Sequence, residues 1–385
     1  MKILHTSDWH LGHTIYNYDR TEEQTNMLNQ IVEIVNNEKP DLFLLCGDVY
    51  HTAQPSASVQ TMFVNALMNI HNANPEMTIV ITAGNHDSGS RHEIFSAALE
   101  TMKIYTIGNL TKENFDKHII EIPNKGYVIA IPYTHERNIP EGFFQQIIDY
   151  TIKQNTNNLP IIMSAHTTVK GCDFLGHDHA SEYTVGGIDT FDIDQMGEGY
   201  DYLALGHIHH EQFVHSGRHN VRYSGSPIQI SFDENYPHSI SIIEIDKHGD
   251  IPNTKKIEIN NINPLVTLPT KGFTTWEEAK ELLQNFPNDS RAYIRLNIEI
   301  EDFIPVDANA TAINIAKTKQ CKFCYINAKR KTQINSEEIS TMTIEEFQNE
   351  SPINIVKRYT KDTNTIFNDE MIELLNAVIE EVSNK

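Results

Sequence analysis

Five short segments carry side chains that could do chemistry: Asp8-Trp9-His10, Gly47-Asp48, Gly84-Asn85-His86-Asp87, His166, and Gly206-His207-Ile208-His209. Each follows an apolar stretch, and three of them include glycine, the residue of tight turns. Asp8 and His10 stand two apart, as do His207 and His209. In an extended segment such pairs face the same way and can chelate from one side. Asp8, Asp48, Asn85, His10, His166, His207 and His209 offer two carboxylates, one amide oxygen and four imidazoles. With one carboxylate bridging, each of two cations would receive about four protein ligands. Imidazole with carboxylate and amide oxygen suits Mn, Fe or Zn rather than Ca. Two metals roughly 3.5–4 Å apart are a standard device for in-line displacement at phosphorus. Any one of these histidines alone reads as a surface or hydrogen-bonded residue, and lone Gly-Asp or Gly-Asn pairs read as turns. Five strand-end segments, each with a ligand, do not.

The elements needed to position them are legible around each segment. Residues 2–7, 41–46 and 78–82 read as strands, the latter two as continuous apolar runs of the kind buried on both faces. Residues 22–36 and 59–70 have helical spacing between them. Further strands are expected over 127–131, 159–165, 202–205 and 239–245. Strand–helix–strand order implies a sheet packed by helices, and ligands gather past the C-terminal ends of strands in such sheets. A turn at Lys247-His248-Gly249-Asp250 marks an expected boundary. Beyond it, residues 275–286 read as an amphipathic helix. Residues 292–300 alternate, with Ile294, Leu296, Ile298 and Ile300 on one face. Asp307 is placed to cap a helix through Ala316, and residues 322–329 read as a strand. The last 45 residues carry a capping box, Thr343 with Glu346, and an apolar stripe of Met371, Leu374, Leu375, Val378, Ile379 and Val382. The expected organisation is therefore three units: 1–250, an α/β catalytic domain; 251–340, a small α+β domain; and 341–385, C-terminal helices.

Composition narrows the class. Thirty Lys and Arg against 52 Asp and Glu leave a net charge of −22 over 385 residues. A bare acidic surface repels phosphate backbones, so the balance argues against a stand-alone nucleic-acid binder. Residues 251–340 hold 12 basic and 11 acidic side chains, whereas the first 250 hold 14 and 32. No apolar stretch approaches the roughly 20 residues that span a bilayer. The first residues lack the apolar run of a signal peptide. Four cysteines fit a reducing compartment, so a cytoplasmic location is expected.

The five segments resemble the calcineurin-like metallophosphoesterase superfamily, whose pattern is D-x-H, G-D, G-N-H-D/E, H and G-H-x-H. The resemblance implies a four-layer α/β/β/α sandwich. It implies one metal held by Asp8, His10, Asp48 and His209, and another by Asp48, Asn85, His166 and His207, with Asp48 as the bridge. His86 would contact the scissile phosphate or protonate the leaving oxygen, with Asp87 a candidate to orient it. A narrower resemblance runs from Met1 to about Asp246 through 4–12, 19–24, 47–51, 204–209, 223–227 and 231–232. It is to the nuclease subunits of bacterial SbcCD-type complexes, within the DNA double-strand-break repair nuclease family. That likeness implies a capping domain over 251–340 and a C-terminal element that docks the SMC-like ATPase SbcC. It implies two metals, most often Mn, and an assembly of two nuclease and two ATPase subunits acting on DNA. It also implies 3′→5′ double-strand exonuclease and single-strand or hairpin endonuclease activity. His51, three residues past Asp48, belongs to the active-site set of that family and is tied to exonuclease action. His13, Tyr183 and His238 depart from it, standing where arginine, arginine and lysine are usual.

Other features carry less. Cys321-x-x-Cys324 lacks a second pair, and i, i+3 positions on a strand face opposite sides, so no zinc knuckle is expected. Gly176-His177-Asp178-His179 reads as a solvated loop. The run Lys329-Arg330-Lys331 reads as a solvated face. The competing functions are a phosphoesterase for nucleotides or phosphoproteins, and a non-catalytic scaffold. The complete ligand set speaks against the scaffold.

Overall fold

The computed structural model describes residues 1–174, 190–214, 218–301 and 303–331, together with Lys357, Met371, Ile372 and Leu375. Residues 1–329 form one unit and residues 330–385 a second. The Thr343–Glu346 box, most of the 371–382 stripe and the 176–179 segment fall outside the described residues, as does Tyr183.

The first unit opens with β1 (Lys2–Thr6), α1 (Thr21–Glu38), β2 (Leu42–Cys46), α2 (Ala57–Ala73) and β3 (Thr78–Thr82). Short α3 (Gly89–His92) and α4 (Ser96–Glu100) lead to β4 (Ile104–Ile107), β5 (Ile119–Ile122) and β6 (Gly126–Ile131). Then come α5 (Phe143–Gln154), β7 (Ile161–His166), β8 (Thr168–Val169), β9 (Thr190–Phe191) and β10 (Tyr202–Gly206). The strands β11 (Gln212–Phe213), β12 (Val221–Tyr223), β13 (Ser239–Glu244) and β14 (Asn253–Glu258) complete the larger part. The smaller part is β15 (Leu265–Leu268), α6 (Trp276–Asn285), β16 (Tyr293–Ile300), α7 (Ala308–Ala316) and β17 (Lys322–Arg330).

Two six-stranded sheets, ordered β14-β13-β1-β2-β3-β4 and β11-β12-β10-β7-β6-β5, stack face to face. The apolar runs of β2 and β3 are buried along their whole length because each sheet is covered twice. Ile3, Leu42, Leu44 and Val80 meet Val128, Ala130, Ile162 and Ala204 between the sheets. On its outer face the first sheet takes Met27, Ile31 and Val35 of α1 and Phe63, Leu67 and Ile70 of α2. The second takes Phe143, Phe144, Ile147 and Ile148 of α5. The architecture is the four-layer α/β/β/α sandwich. Parallel β1, β2 and β3 in one sheet and β7 and β10 in the other end at a common edge, where the five segments begin.

The turn at Lys247–Asp250 is the tip of a hairpin. β13 and β14 pair from Ser239↔Glu258 to Glu244↔Asn253, so the first sheet runs on to Glu258. The smaller part has its own sheet, β15-β16-β17, and its own core of Leu283, Ile294, Leu296, Ile298, Ala312 and Phe323. α6 starts on a capping box, Thr275 with Glu278. Asp307 occupies the position before α7, but its carboxylate makes no capping bond. The alternation of β16 does not leave one face to solvent. Tyr293 is fully buried against Ile15 and Phe232 of the larger part, and Arg295 donates to Asp233 at 2.6 Å. Cys321 joins the small core, while Cys324 packs at the junction with Tyr18 and Tyr325, on the other side. No helix among the described residues is long and apolar enough to cross a membrane.

Candidate metal centre

The middle residues of the two ligand pairs explain how the pairs are aimed. Trp9 is buried among Phe43 and Phe63, with its indole N–H on Thr6 Oγ1 at 2.9 Å. Ile208 is buried under the second sheet. With these side chains driven into the cores, Asp8, His10, His207 and His209 are turned the other way. The backbone that does this is not extended: Asp8, His10, Asp48 and His207 have φ of +53°, +44°, +50° and +96°. Such values are uncommon for non-glycine residues. They are held by bonds from Asp8 N to Gly47 O (3.1 Å), His10 N to Asp48 O (3.0 Å) and His207 N to the Asp8 carboxylate (3.1 Å). Glycine is required in the loops behind these side chains. A Cβ on Gly47 would lie 2.1 Å from His166 Nδ1, and one on Gly84 would lie 2.0 Å from Asp48 Oδ1.

Donor atoms of the candidate ligands converge in two groups, Asp8 with His10 and His209, and Asp48 with His166 and His207, while His10 also converges with His51 and His86. His207 and His209 thus face different groups and do not chelate together. Asp48 Oδ2 lies 3.6 Å from His10 Nε2 and 3.5 Å from His166 Nε2, between the two groups. Its other oxygen accepts the His86 N–H at 2.9 Å. Asn85 Oδ1 lies 3.0 Å from His166 Nε2 and 2.9 Å from His207 Nδ1. All seven candidate ligands are therefore brought together.

The donor chemistry fits cations. His166 Nδ1 donates to Cys46 O at 2.8 Å, so in the neutral ring Nε2 turns a lone pair toward the Asn85 oxygen. His209 Nδ1 donates to Glu234 Oε1 at 2.7 Å, so its Nε2 turns a lone pair toward His10 Nε2, 3.2 Å away. A cation placed beside these nitrogens would accept the lone pairs of His166 and His209. Burial opposes charge on His166, but the carboxylates of Asp48 and Asp8 outweigh it and lift its pKa to about 9. Burial likewise opposes charge on His209, and Glu234, Asp8 and Asp48 lift it to about 9. His10 moves well below its ordinary value, because burial and the neighbouring histidines outweigh Asp48. Burial raises Asp8, against the pull of His166 and His209.

His86 stands beside this centre with its ring 4.9 Å from that of His10, and its Nδ1 donates to His51 O at 2.9 Å. The His51 ring stacks on it, 5.6 Å away at 22°. Asp87 does not orient His86. Three backbone N–H groups claim its carboxylate, those of Gly84 (2.9 Å), Tyr50 (3.0 Å) and Val49 (3.1 Å), and His92 lies 3.4 Å away. It braces the loops that carry Asp48 and Asn85.

One residue of the site has no counterpart among those singled out in the sequence. Glu234 is fully buried and accepts from His209 Nδ1 and, at 2.9 Å, from Ile230 N. A carboxylate behind a ligating imidazole fixes its tautomer and raises its basicity. Its one sequence signal is its place two residues after the Ser231-Phe232 stretch. Tyr133 forms a wall beside the second group, with its ring 6.2 Å from His166 and 6.4 Å from His207.

Residues 1–211 match the calcineurin-like phosphoesterase family. The chain is 29% identical over 300 residues to the SbcD component of nuclease SbcCD from Rhodobacter capsulatus, covering 71% of this chain and 72% of that protein. It is 29% identical over 332 residues to the protein of the same name in Bacillus subtilis, covering 80% and 81%. With that of Escherichia coli K12 it shares 29% over 299 residues, covering 70% of each.

Proposed function

The chain belongs to the calcineurin-like phosphoesterase family, and from that premise we propose that it is the DNA nuclease subunit of an SbcCD-type complex, as its relatives are named. It hydrolyses DNA phosphodiesters, as a 3′→5′ exonuclease on double strands and as an endonuclease on single strands and hairpins. The observation that carries the chemistry is Asp48, whose carboxylate lies between two converging groups of buried donors.

In this reading Asp8, His10, Asp48 and His209 hold one divalent cation, and Asp48, Asn85, His166 and His207 the other, Mn being the ion assigned. Two such ions supply charge neutralisation at the scissile phosphate and a water of lowered pKa. The chain's own residues do the rest. Glu234 keeps the His209 proton on Nδ1, so that Nε2 is free to ligate. The carbonyl of His51 accepts from His86 Nδ1, so His86 Nε2 faces the leaving oxygen; a second proton carried on Nε2 would pass to that oxygen and leave the ring neutral, its Nδ1 proton still on His51 O. His51, stacked on His86, shapes the edge where a duplex end enters.

We further assign SbcC as the partner, in an assembly of two nuclease and two ATPase subunits that contains a nuclease homodimer, and the cytoplasm as the location. The small α+β part acts as a cap, and the residues after 340 dock SbcC. SbcC supplies much of the DNA grip that so acidic a chain lacks. The test is Mn-dependent digestion of end-labelled hairpin and duplex DNA, with and without SbcC and ATP, beside turnover of p-nitrophenyl phosphate. Cleavage of DNA with little monoester turnover supports the reading. Monoester turnover without DNA cleavage overturns it.

A further inference from the structure

We propose that His13 is a positioning residue for His51, held for that task by the buried guanidinium of Arg20. The proposal rests on the nuclease reading for what His51 does.

The backbone of His51 is bonded to Leu11 O and to His86 Nδ1, but its side chain is poorly tied by polar contacts. Its Nδ1 is buried without a hydrogen-bond partner. The ring is therefore kept in place by its neighbours. It lies over His86 at 5.6 Å, near His10 at 5.6 Å, and against the edge of His13 at 4.6 Å and 74°. His13 is the nearest of the three. It is also the one that neither ligates nor faces the leaving oxygen, so its placement answers to another need.

His13 is itself fixed from behind. Arg20 Nη1 donates to His13 Nδ1 at 3.1 Å, which puts the proton of the neutral ring on Nε2 and stops the ring from flipping. The same Nη1 donates to Gln229 O at 2.8 Å. Arg20 is 1% exposed, and its Nε lies 3.5 Å from Glu23. Glu23 in turn accepts from the hydroxyl of Tyr293, on β16, at 2.6 Å. A guanidinium at this depth is costly unless its partners are well placed, and Arg20 Nη2 has none. Packing alone would favour an apolar side chain. What the arginine adds is a rigid donor aimed at one imidazole, and that imidazole walls the ring of His51.

The experiment is a double-mutant cycle of His13→Ala with His51→Ala in the full chain, with metal content measured by elemental analysis alongside melting curves. Rates are read on duplex ends, on hairpins and on bis(p-nitrophenyl) phosphate. His13→Ala is expected to keep two metals and the melting temperature, and to lower kcat on duplex ends by about 10-fold at unchanged KM. In the His51→Ala background it should cost nothing further. His13→Phe, which restores a ring edge, should recover part of the loss. Additive losses in the cycle, or loss of a metal in His13→Ala, overturn the proposal. Wild-type protein that turns over the small diester but not DNA overturns the nuclease reading instead. The cycle on the diester then still decides: coupled losses uphold the role of His13, and additive losses remove it.

Discussion

Replacing Glu234 by Gln should weaken the cation held through His209 by about 10–100-fold. The magnitude follows from the two bonds that the carboxylate accepts. Oε1 takes the proton of His209 Nδ1 at 2.7 Å, and Oε2 takes the N–H of Ile230 at 2.9 Å. Glutamine has one oxygen and one NH₂, so one of these donors must meet another donor inside a fully buried site. A buried donor left without an acceptor costs about 1–3 kcal/mol. If the oxygen stays with Ile230, His209 loses its tautomer lock, and the cost falls on metal binding. If it stays with His209, the cost falls on the loop at residues 230–234 and appears as a lower melting temperature. In both cases the negative charge behind the imidazole is gone, and with it the added basicity of Nε2. Mn²⁺ titration of chelator-stripped protein by calorimetry, with melting curves of stripped and loaded samples, separates the two costs. Wild-type affinity at both sites would refute the assignment of Glu234 as the residue that orients His209.

Asp48→Ala should abolish activity and lower the metal content, since one carboxylate lies between both donor groups; two tightly bound metals in the variant would count against bridging. His86→Ala should keep both metals by elemental analysis and lose roughly 10²–10⁴-fold in turnover; lost metal would make His86 a ligand. His51→Ser should harm exonuclease more than endonuclease activity with metal binding unchanged, and equal loss of both would remove its special role. Acid should destabilise the fold through His5. Burial and Arg222 push its pKa down to about 3, and it bonds Tyr202 and the Leu205 carbonyl as a neutral ring. The unfolded chain takes up the proton near pH 6.5 and the folded chain only near 3. This contribution is therefore flat above about pH 7 and falls by about 1.4 kcal/mol per pH unit inside the window. His5→Gln should flatten denaturant-derived stability between pH 6 and 4, and an unchanged slope would exclude His5 as the source.

The larger part was readable because its candidate ligands stand at the ends of strands whose apolar runs announce themselves, as in residues 42–46 and 78–82. What the pattern hides is direction and distance. Asp8 and His10 do face one way, but through left-handed turns around an anchored Trp9, where spacing alone suggested an extended segment. Asp87 is next to His86 in the chain, yet its oxygens belong to the N–H groups of Gly84, Val49 and Tyr50. Nothing in a linear reading reports that. Glu234 lies 25 residues from His209, and its role exists only where a loop folds back. β14 escaped notice because it is an edge strand of Asn, Thr, Lys, Lys, Ile and Glu, mostly outside the core. Lysines on an edge discourage pairing with other chains, and they also erase the alternation by which a strand is recognised.

The strain at the site and its preorganisation are the same fact. Four of the seven candidate ligands, Asp8, His10, Asp48 and His207, sit at positive φ. At about 1–3 kcal/mol each, that strain is comparable with the stability of a domain. It persists because burial of Trp9 and Ile208 and the backbone bonds between the Asp8 and Asp48 loops over-determine the conformation. An alternative backbone would expose an indole or break the ladder above β1 and β2. The donors are therefore held in place by the two apolar cores, and the ions need not gather them. It follows that removal of the ions by a chelator should leave the donor geometry standing. The affinity of a metal centre built on these residues would then owe little to the cost of ordering the loops.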